Sequence, residues 1–169
     1  MKRKIKTQPG DLIKVPYKPG LHTYARILIE NSYAFYDCRS ATDRDDYDNI
    51  IQSEILFTAW VDVFGLREGY WTIVANIPLE GNLKSFYPRY FNPAPMNIEN
   101  VNFYNVYKSE IENAIEKDWI KTGKIQLDGL HGRIHIESRL NDFYNGKRNE
   151  FNRGNIDLFK NYLGLPINI

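Results

Sequence analysis

The sequence predicts an α+β fold: a curved, mostly antiparallel sheet of about six strands, small-barrel-like, followed by two or three helices. Two observations predict it. Residues 9–37 hold three short runs of β-branched and aromatic residues, each alternating with a period of two and bounded by Gly, Pro or Asn. Beyond residue 109 the apolar spacing changes to three and four, the period of a helix.

Taken in order, Ile13, Val15 and Tyr17 share one face of the first strand, Ala25, Ile27 and Ile29 one face of the second, and Tyr33 and Phe35 one face of the third. Pro19-Gly20 suits the first turn, because Pro fixes φ and Gly accepts a positive one. Residues 40–53 are polar, with Asp43-Arg44-Asp45-Asp46-Tyr47-Asp48 at their centre and a short helical turn at 49–52. Residues 56–64 alternate again, with Phe57, Ala59, Val61 and Val63 on one face, and residues 70–77 align Trp71, Ile73, Ala75 and Ile77. With Gly65 and Gly69 between them, this pair reads as a hairpin that brings the sheet to five strands. Pro78 ends it, since Pro offers no N–H to a ladder.

Residues 79–99 form a long connection whose rings, Phe86-Tyr87-Pro88-Arg89-Tyr90-Phe91, read as a cluster capping the sheet. Residues 102–107 read as a sixth strand. Ser109 and Glu112 form a capping box, opening a helix with Ile111, Ala114 and Ile115 as its stripe and Gly123 as its stop. A short strand at 125–127 precedes a second helix from near Gly132, with Ile136, Leu140, Phe143 and Tyr144 on one face and Gly146 after its last turn. Residues 155–163 read as a short final helix.

At 169 residues, the chain is expected to form one domain over 1–169. Its 22 Lys and Arg against 21 Asp and Glu, a net charge of +1, exclude nucleic-acid binding driven by bulk charge. The basic start lacks the apolar stretch of a signal peptide, and no run approaches the ~20 apolar residues of a membrane span. The single cysteine, Cys38, fits a reducing compartment, so a cytoplasmic protein is expected.

Catalytic groups are scarce. Cys38 lies between Asp37 and Arg39 with no adjacent base, and reads as a small core residue. Asp43 to Glu54 falls short of a calcium loop, because Asp48 stands where the sharp turn needs Gly. His131 and His135 stand four apart, a spacing that puts two imidazoles on one helix face. With Glu137 or Asp128 they are the metal-ligand candidates, but no H-E-x-x-H or established third ligand accompanies them. No phosphate-cradling Gly loop or nucleophile motif occurs, so no catalytic residue, cofactor or metal is assigned.

Several segments together resemble the Immunity protein 26 (Imm26) family of bacterial polymorphic-toxin systems, over roughly residues 9–149. These are Gly10-Asp11-Leu12-Ile13, the strand from Tyr24 to Leu28, Phe35-Tyr36-Asp37, the segment from Trp71 to Pro78-Leu79, and Arg139-Leu140 in a helix ending Phe143-Tyr144-x-Gly146. Ala75 stands where Gly is expected, and the acidic loop is not a family feature. The resemblance implies a non-catalytic protein that binds a cognate protein toxin and neutralises it by occlusion, with no nucleic acid, membrane or cofactor involved.

The candidate toxin-facing residues are Tyr36, Arg39, Asp43, Asp45, Asp46, Tyr47 and Arg67. Charged loops at a sheet rim steer association, and rings and arginines dominate interface energetics. Two other readings stand beside this one. A metal-dependent phosphotriester hydrolase would draw its ligands from His131, His135 and a carboxylate. An RNA-cleaving toxin of the MazF type is suggested by Pro9-Gly10-Asp11-Leu12-Ile13-Lys14-Val15, which is similar to the first strand of those barrels, but the Trp71 and Arg139 segments have no place in one.

Overall fold

A computed structural model describes residues 5–29, 31–84, 90–91, 126–127 and 130–147. The chain divides into two compact units, one of residues 1–86 and 130–141, the other of 87–129 and 142–169. In the first unit the elements run β1 (Asp11–Lys18), β2 (Leu21–Ile27), β3 (Ser32–Tyr36), α1 (Tyr47–Gln52), β4 (Ile55–Trp60), α2 (Phe64–Arg67) and β5 (Thr72–Asn76), then a 3-10 turn at Gly81–Leu83. The helix α3 (Arg133–Tyr144) contributes its residues up to 141 to this unit. In the second unit, β6 (Tyr90–Phe91) pairs in parallel with β7 (Gln126–Leu127), the short strand expected at 125–127. The expected strand at 102–107, the capping-box helix from Ser109 and the helix at 155–163 lie outside the described residues.

The predicted class holds: an α+β arrangement with a curved antiparallel sheet. The sheet has five strands in the order β4-β3-β2-β1-β5 and does not close into a barrel, so β4 and β5 are its edges. The meander of β1, β2 and β3 forms as its alternation demands, with Lys18 paired to Leu21 across the Pro19-Gly20 turn. Pro16 sits inside β1 beyond the last residue that pairs with β5, so its missing N–H breaks no ladder on that side.

The register separates two faces. Ile13, Ala25, Phe35 and Phe57 pair in one row, and Ile27, Tyr33 and Ala59 in the next, so all seven share a face. Rings meet along it, Phe35 stacked on Phe57 at 4.7 Å between centroids and Tyr33 tilted against Trp71 at 6.4 Å. The other face carries Leu12, Tyr24 and Tyr36, which pack with Cys38 and with Ile50 of α1. Further along it, Leu28 and Ala34 meet Leu79.

One expectation fails. Strands β4 and β5 do not form a hairpin. Each is antiparallel to its own neighbour, β3 or β1, and so the two run in the same direction at opposite edges of the sheet. A tight turn cannot join parallel strands; residues 61–71 instead cross the Tyr33 face, over four strand spacings of ~4.8 Å each. The two glycines serve that crossover. Gly65 lets the chain lie on the indole of Trp71, where a Cβ would come within 2.7 Å of the ring. Gly69, at φ 78°, ends α2, its N–H bonding the Leu66 carbonyl at 3.0 Å.

The helix expected near Gly132 is α3. Ile136 and Leu140 are fully buried, the Arg139 guanidinium lies 3.7 Å over the Phe57 ring, and Glu137 accepts from Trp71 Nε1 at 3.0 Å. These contacts set α3 on the same face as the crossover. Two substitutions test this packing by urea unfolding. Gly65→Ala overpacks the indole and is expected to cost about 1–3 kcal/mol. Leu140→Ala, which opens a cavity, is expected to cost about 2–5 kcal/mol.

Candidate protein-binding surface

Four of the seven candidate residues gather on one loop and a fifth, Tyr47, opens the helix that follows it. Residues 37–46 join β3 to α1, and the start of this segment is fixed by backbone pairing. Asp37 N donates to the Glu54 carbonyl at 2.8 Å, and His22 and Ser40 exchange hydrogen bonds at 3.0 and 2.9 Å. The middle is tied down by side chains. Lys14 of β1 forms an ion pair with Asp43, and Arg44 N donates to the Tyr24 hydroxyl at 3.1 Å. Arg44 then grips Asp46 with two guanidinium nitrogens, Nε at 2.7 Å. Asp46 in turn opens α1, its carbonyl accepting from Asn49 N and Ile50 N.

The result is a preformed acidic rim. Asp43, Asp45, Asp46 and Asp48 are all exposed, the Asp43 side chain to 81%. Tyr47 is half-buried against the Leu12–Tyr24–Tyr36 cluster, so its ring is held in place by the core. Arg39 is exposed, and its charge opposes the upward push that burial gives the Tyr17 hydroxyl. Rigid placement of this kind lowers the ordering cost of binding a partner.

Two candidates belong elsewhere. Tyr36 is fully buried, and burial pushes its hydroxyl above its ordinary pKa with the nearby Arg26 guanidinium opposing. The alternation that set Tyr33 and Phe35 inward left the opposite face looking open, but α1 covers that face as well. Arg67 is exposed on α2, with its guanidinium 3.9 Å over the Phe64 ring. Since α2 crosses the Tyr33 face and the loop is pinned to Lys14 and Tyr24 on the other, the structure does not bring Arg67 to the acidic rim.

The metal-ligand pair also changes. His131 precedes α3 and lies in a β-bridge with Val61; its N–H donates to the Trp60 carbonyl at 2.8 Å, and its carbonyl accepts from Asp62 N at 3.1 Å. The two imidazoles therefore do not share a helix face; their rings stand perpendicular, 6.4 Å apart. Glu137 is occupied by Trp71 and Arg133, and Asp128 lies outside the described residues. Among the described residues, no three His, Cys, Asp or Glu side chains gather. Cys38 is the core residue expected, with burial pushing its thiol up from its ordinary pKa.

Sequence reasoning missed the anchors: Lys14, His22, Tyr24 and Arg44. Their only trace is polarity at strand positions, Lys14 and His22 standing in otherwise apolar runs. Their electrostatics is coherent. Lys14 holds the Asp43 carboxyl below its ordinary value, and Arg44 pulls Asp46 down to about 2. His22, 5% exposed with its Nε2 3.3 Å from the Tyr24 hydroxyl, is lowered from 6.5 by burial and then by Lys14, with Asp43 opposing.

A family model described as Immunity protein 26 matches residues 8–98. The match covers all five strands, the acidic loop and both short helices. No curated protein and no solved structure matches the chain.

The anchors give two expectations. The unfolded chain protonates His22 near pH 6.5 and the folded chain only at lower pH, so the unfolded state binds more protons in between and stability falls as pH drops below 6.5. Thermal unfolding from about pH 7 to about pH 5 is expected to show this loss, and His22→Gln to flatten it. Asp43 and Asp46, both lowered, stabilise above their ordinary 3.8 and lose that contribution only in a separate, more acid window. Tyr24→Phe removes the acceptor for Arg44 N, a bond worth about 1 kcal/mol, and is expected to speed amide exchange at Arg44 roughly fivefold.

Proposed function

Since this chain belongs to the Immunity protein 26 family, we propose that it binds a cognate bacterial toxin in the cytoplasm and neutralises it by covering the toxin's working surface, with no chemical step of its own. The family match carries the reading, and the preformed loop supports it. An occluding protein needs a surface that is in place before the partner arrives, and residues 39–48 are fixed by Lys14, His22 and Tyr24. Arg39, Asp43, Asp45, Asp46 and Tyr47 form the toxin-facing set in this proposal. A net charge of +1 with an acidic rim means that the rim, not the whole molecule, steers association.

The test starts from the gene directly upstream, expected to encode a long secreted protein with a toxin domain at its C-terminus. Co-expression with that domain is expected to rescue growth. Failure of rescue, or survival without this chain, removes the reading. With the purified domain, replacing Asp43, Asp45 and Asp46 by Ala is expected to slow association about tenfold at low salt. The effect should shrink at high salt as the rim is screened, with dissociation little changed. An unchanged association rate removes the loop from the interface.

A further inference from the structure

One titratable side chain sits inside the fastening of the 37–46 loop. His22 of β2 is 5% exposed, and its backbone exchanges hydrogen bonds with Ser40 at 3.0 and 2.9 Å. Its ring meets the Tyr24 ring edge-on at 5.4 Å, with Nε2 3.3 Å from the Tyr24 hydroxyl. That hydroxyl accepts from Arg44 N at 3.1 Å. With its oxygen facing the Arg44 N–H, it turns its one proton to a bare Nε2, so a neutral imidazole completes a chain from His22 through Tyr24 to Arg44.

We propose that protonation of His22 unfastens this loop, so that the acidic rim is held at neutral pH and loosens in acid. An imidazolium carries a proton on both ring nitrogens. Nε2 then donates where it accepted, and the Tyr24 proton must turn away from it. The new charge meets Lys14 of β1, which repels it, and Asp43 of the loop, which attracts it but already pairs with Lys14. One carboxylate then faces two cations. Arg44 is matched by Asp46, and Cys38, close to Tyr24, stays a neutral thiol in this range. A buried charge short of partners is costly. Ser40 and Asp43, which lie against His22, belong to the loop, so lifting residues 40–44 admits water to the imidazolium without opening the sheet. Burial and Lys14 lower the pKa of the closed form, the sign that makes protons favour the open one. The inference concerns how the loop is held and stands whether or not its partner is a toxin.

The experiment is amide exchange of the full chain, followed by NMR from about pH 7.5 to about pH 5, with each rate divided by the intrinsic rate at that pH. Protection of the Arg44 amide is expected to fall about threefold or more on acidification. Low urea should not change it, the mark of a local opening. Ala25, inside the ladder, is expected to stay more protected and to exchange faster as urea is added. His22→Gln keeps an acceptor for the Tyr24 proton at every pH and is expected to remove the pH dependence at Arg44. If that variant fails to fold, the wild-type titration decides: the imidazole midpoint is expected below 6.5, with the Arg44 amide signal moving at the same midpoint. Arg44 protection that ignores pH overturns the proposal, as does a fall that persists in folded His22→Gln. So does Arg44 exchange that follows urea as Ala25 does, or an Arg44 signal that ignores the imidazole titration. Growth rescue is a separate readout, so failure here leaves the immunity reading standing.

Discussion

Because every residue of β3 and nearly every residue of β2 is shut away from water on both faces of the sheet, the chain must supply two separate covers. An antiparallel sheet often leaves one face wet; here neither face of its centre can be. One face is closed by the crossover and α3, through Trp71, Leu66, Ile136 and Leu140, and the other by α1 and the segment around Leu79. Double coverage also traps polar groups, and three of them, Arg26, Thr23 and Asp11, are satisfied locally. Arg26, 2% exposed, donates to the Ile77 carbonyl at 2.9 Å and to that of Pro78, fastening the segment after β5 to the middle of the sheet. Thr23 donates to the Tyr36 carbonyl at 2.6 Å, and Asp11 accepts from Gln8 N and Asn76 Nδ2, each at 2.9 Å. A buried polar group with such partners avoids the desolvation cost an orphan would carry.

The two covers make two unlike exteriors. On one side, the segment that delivers α1 to the core is held against β1 and β2 by its own charges, and what remains exposed is mostly carboxylate. On the other, α2 and α3 press their inner residues onto Trp71 and Phe57 and leave rings and aliphatic chains outside, with arginines lying flat upon them. Rim charges act chiefly on encounter rates, whereas apolar contacts act on how long a complex lasts.

Much of this was legible in the sequence. Period-two alternation located β1, β2 and β3 because each has at least one apolar face whatever lies beyond it, and the 136–140 spacing located α3. The signals that misled were local ones with a non-local answer. Gly65 and Gly69 look like a turn between two strands, but only tertiary packing shows that Gly65 makes room for an indole and that the strands lie at opposite edges. Tyr36 looks like a rim residue until α1 is seen to cover it. His131 and His135 suggest a helical pair, yet backbone pairing with Trp60 and Asp62 holds His131 ahead of the helix. The anchoring of the acidic loop depends on Lys14 and Tyr24, some 20 to 30 residues away, and no window along the chain reports contacts at that range.

Ile136 and Leu140 have a consequence for how the molecule can be divided. Both have no accessible surface, yet both lie beyond residue 98, where the family match ends. The part of the chain recognisable by descent is therefore smaller than the part that must fold together. A fragment trimmed to the recognisable part would keep all five strands of the sheet and lose the plug from one side of them, uncovering Phe57 and Trp71 where α3 packs. Exchanging that part alone between relatives would transplant a scaffold without one of its walls.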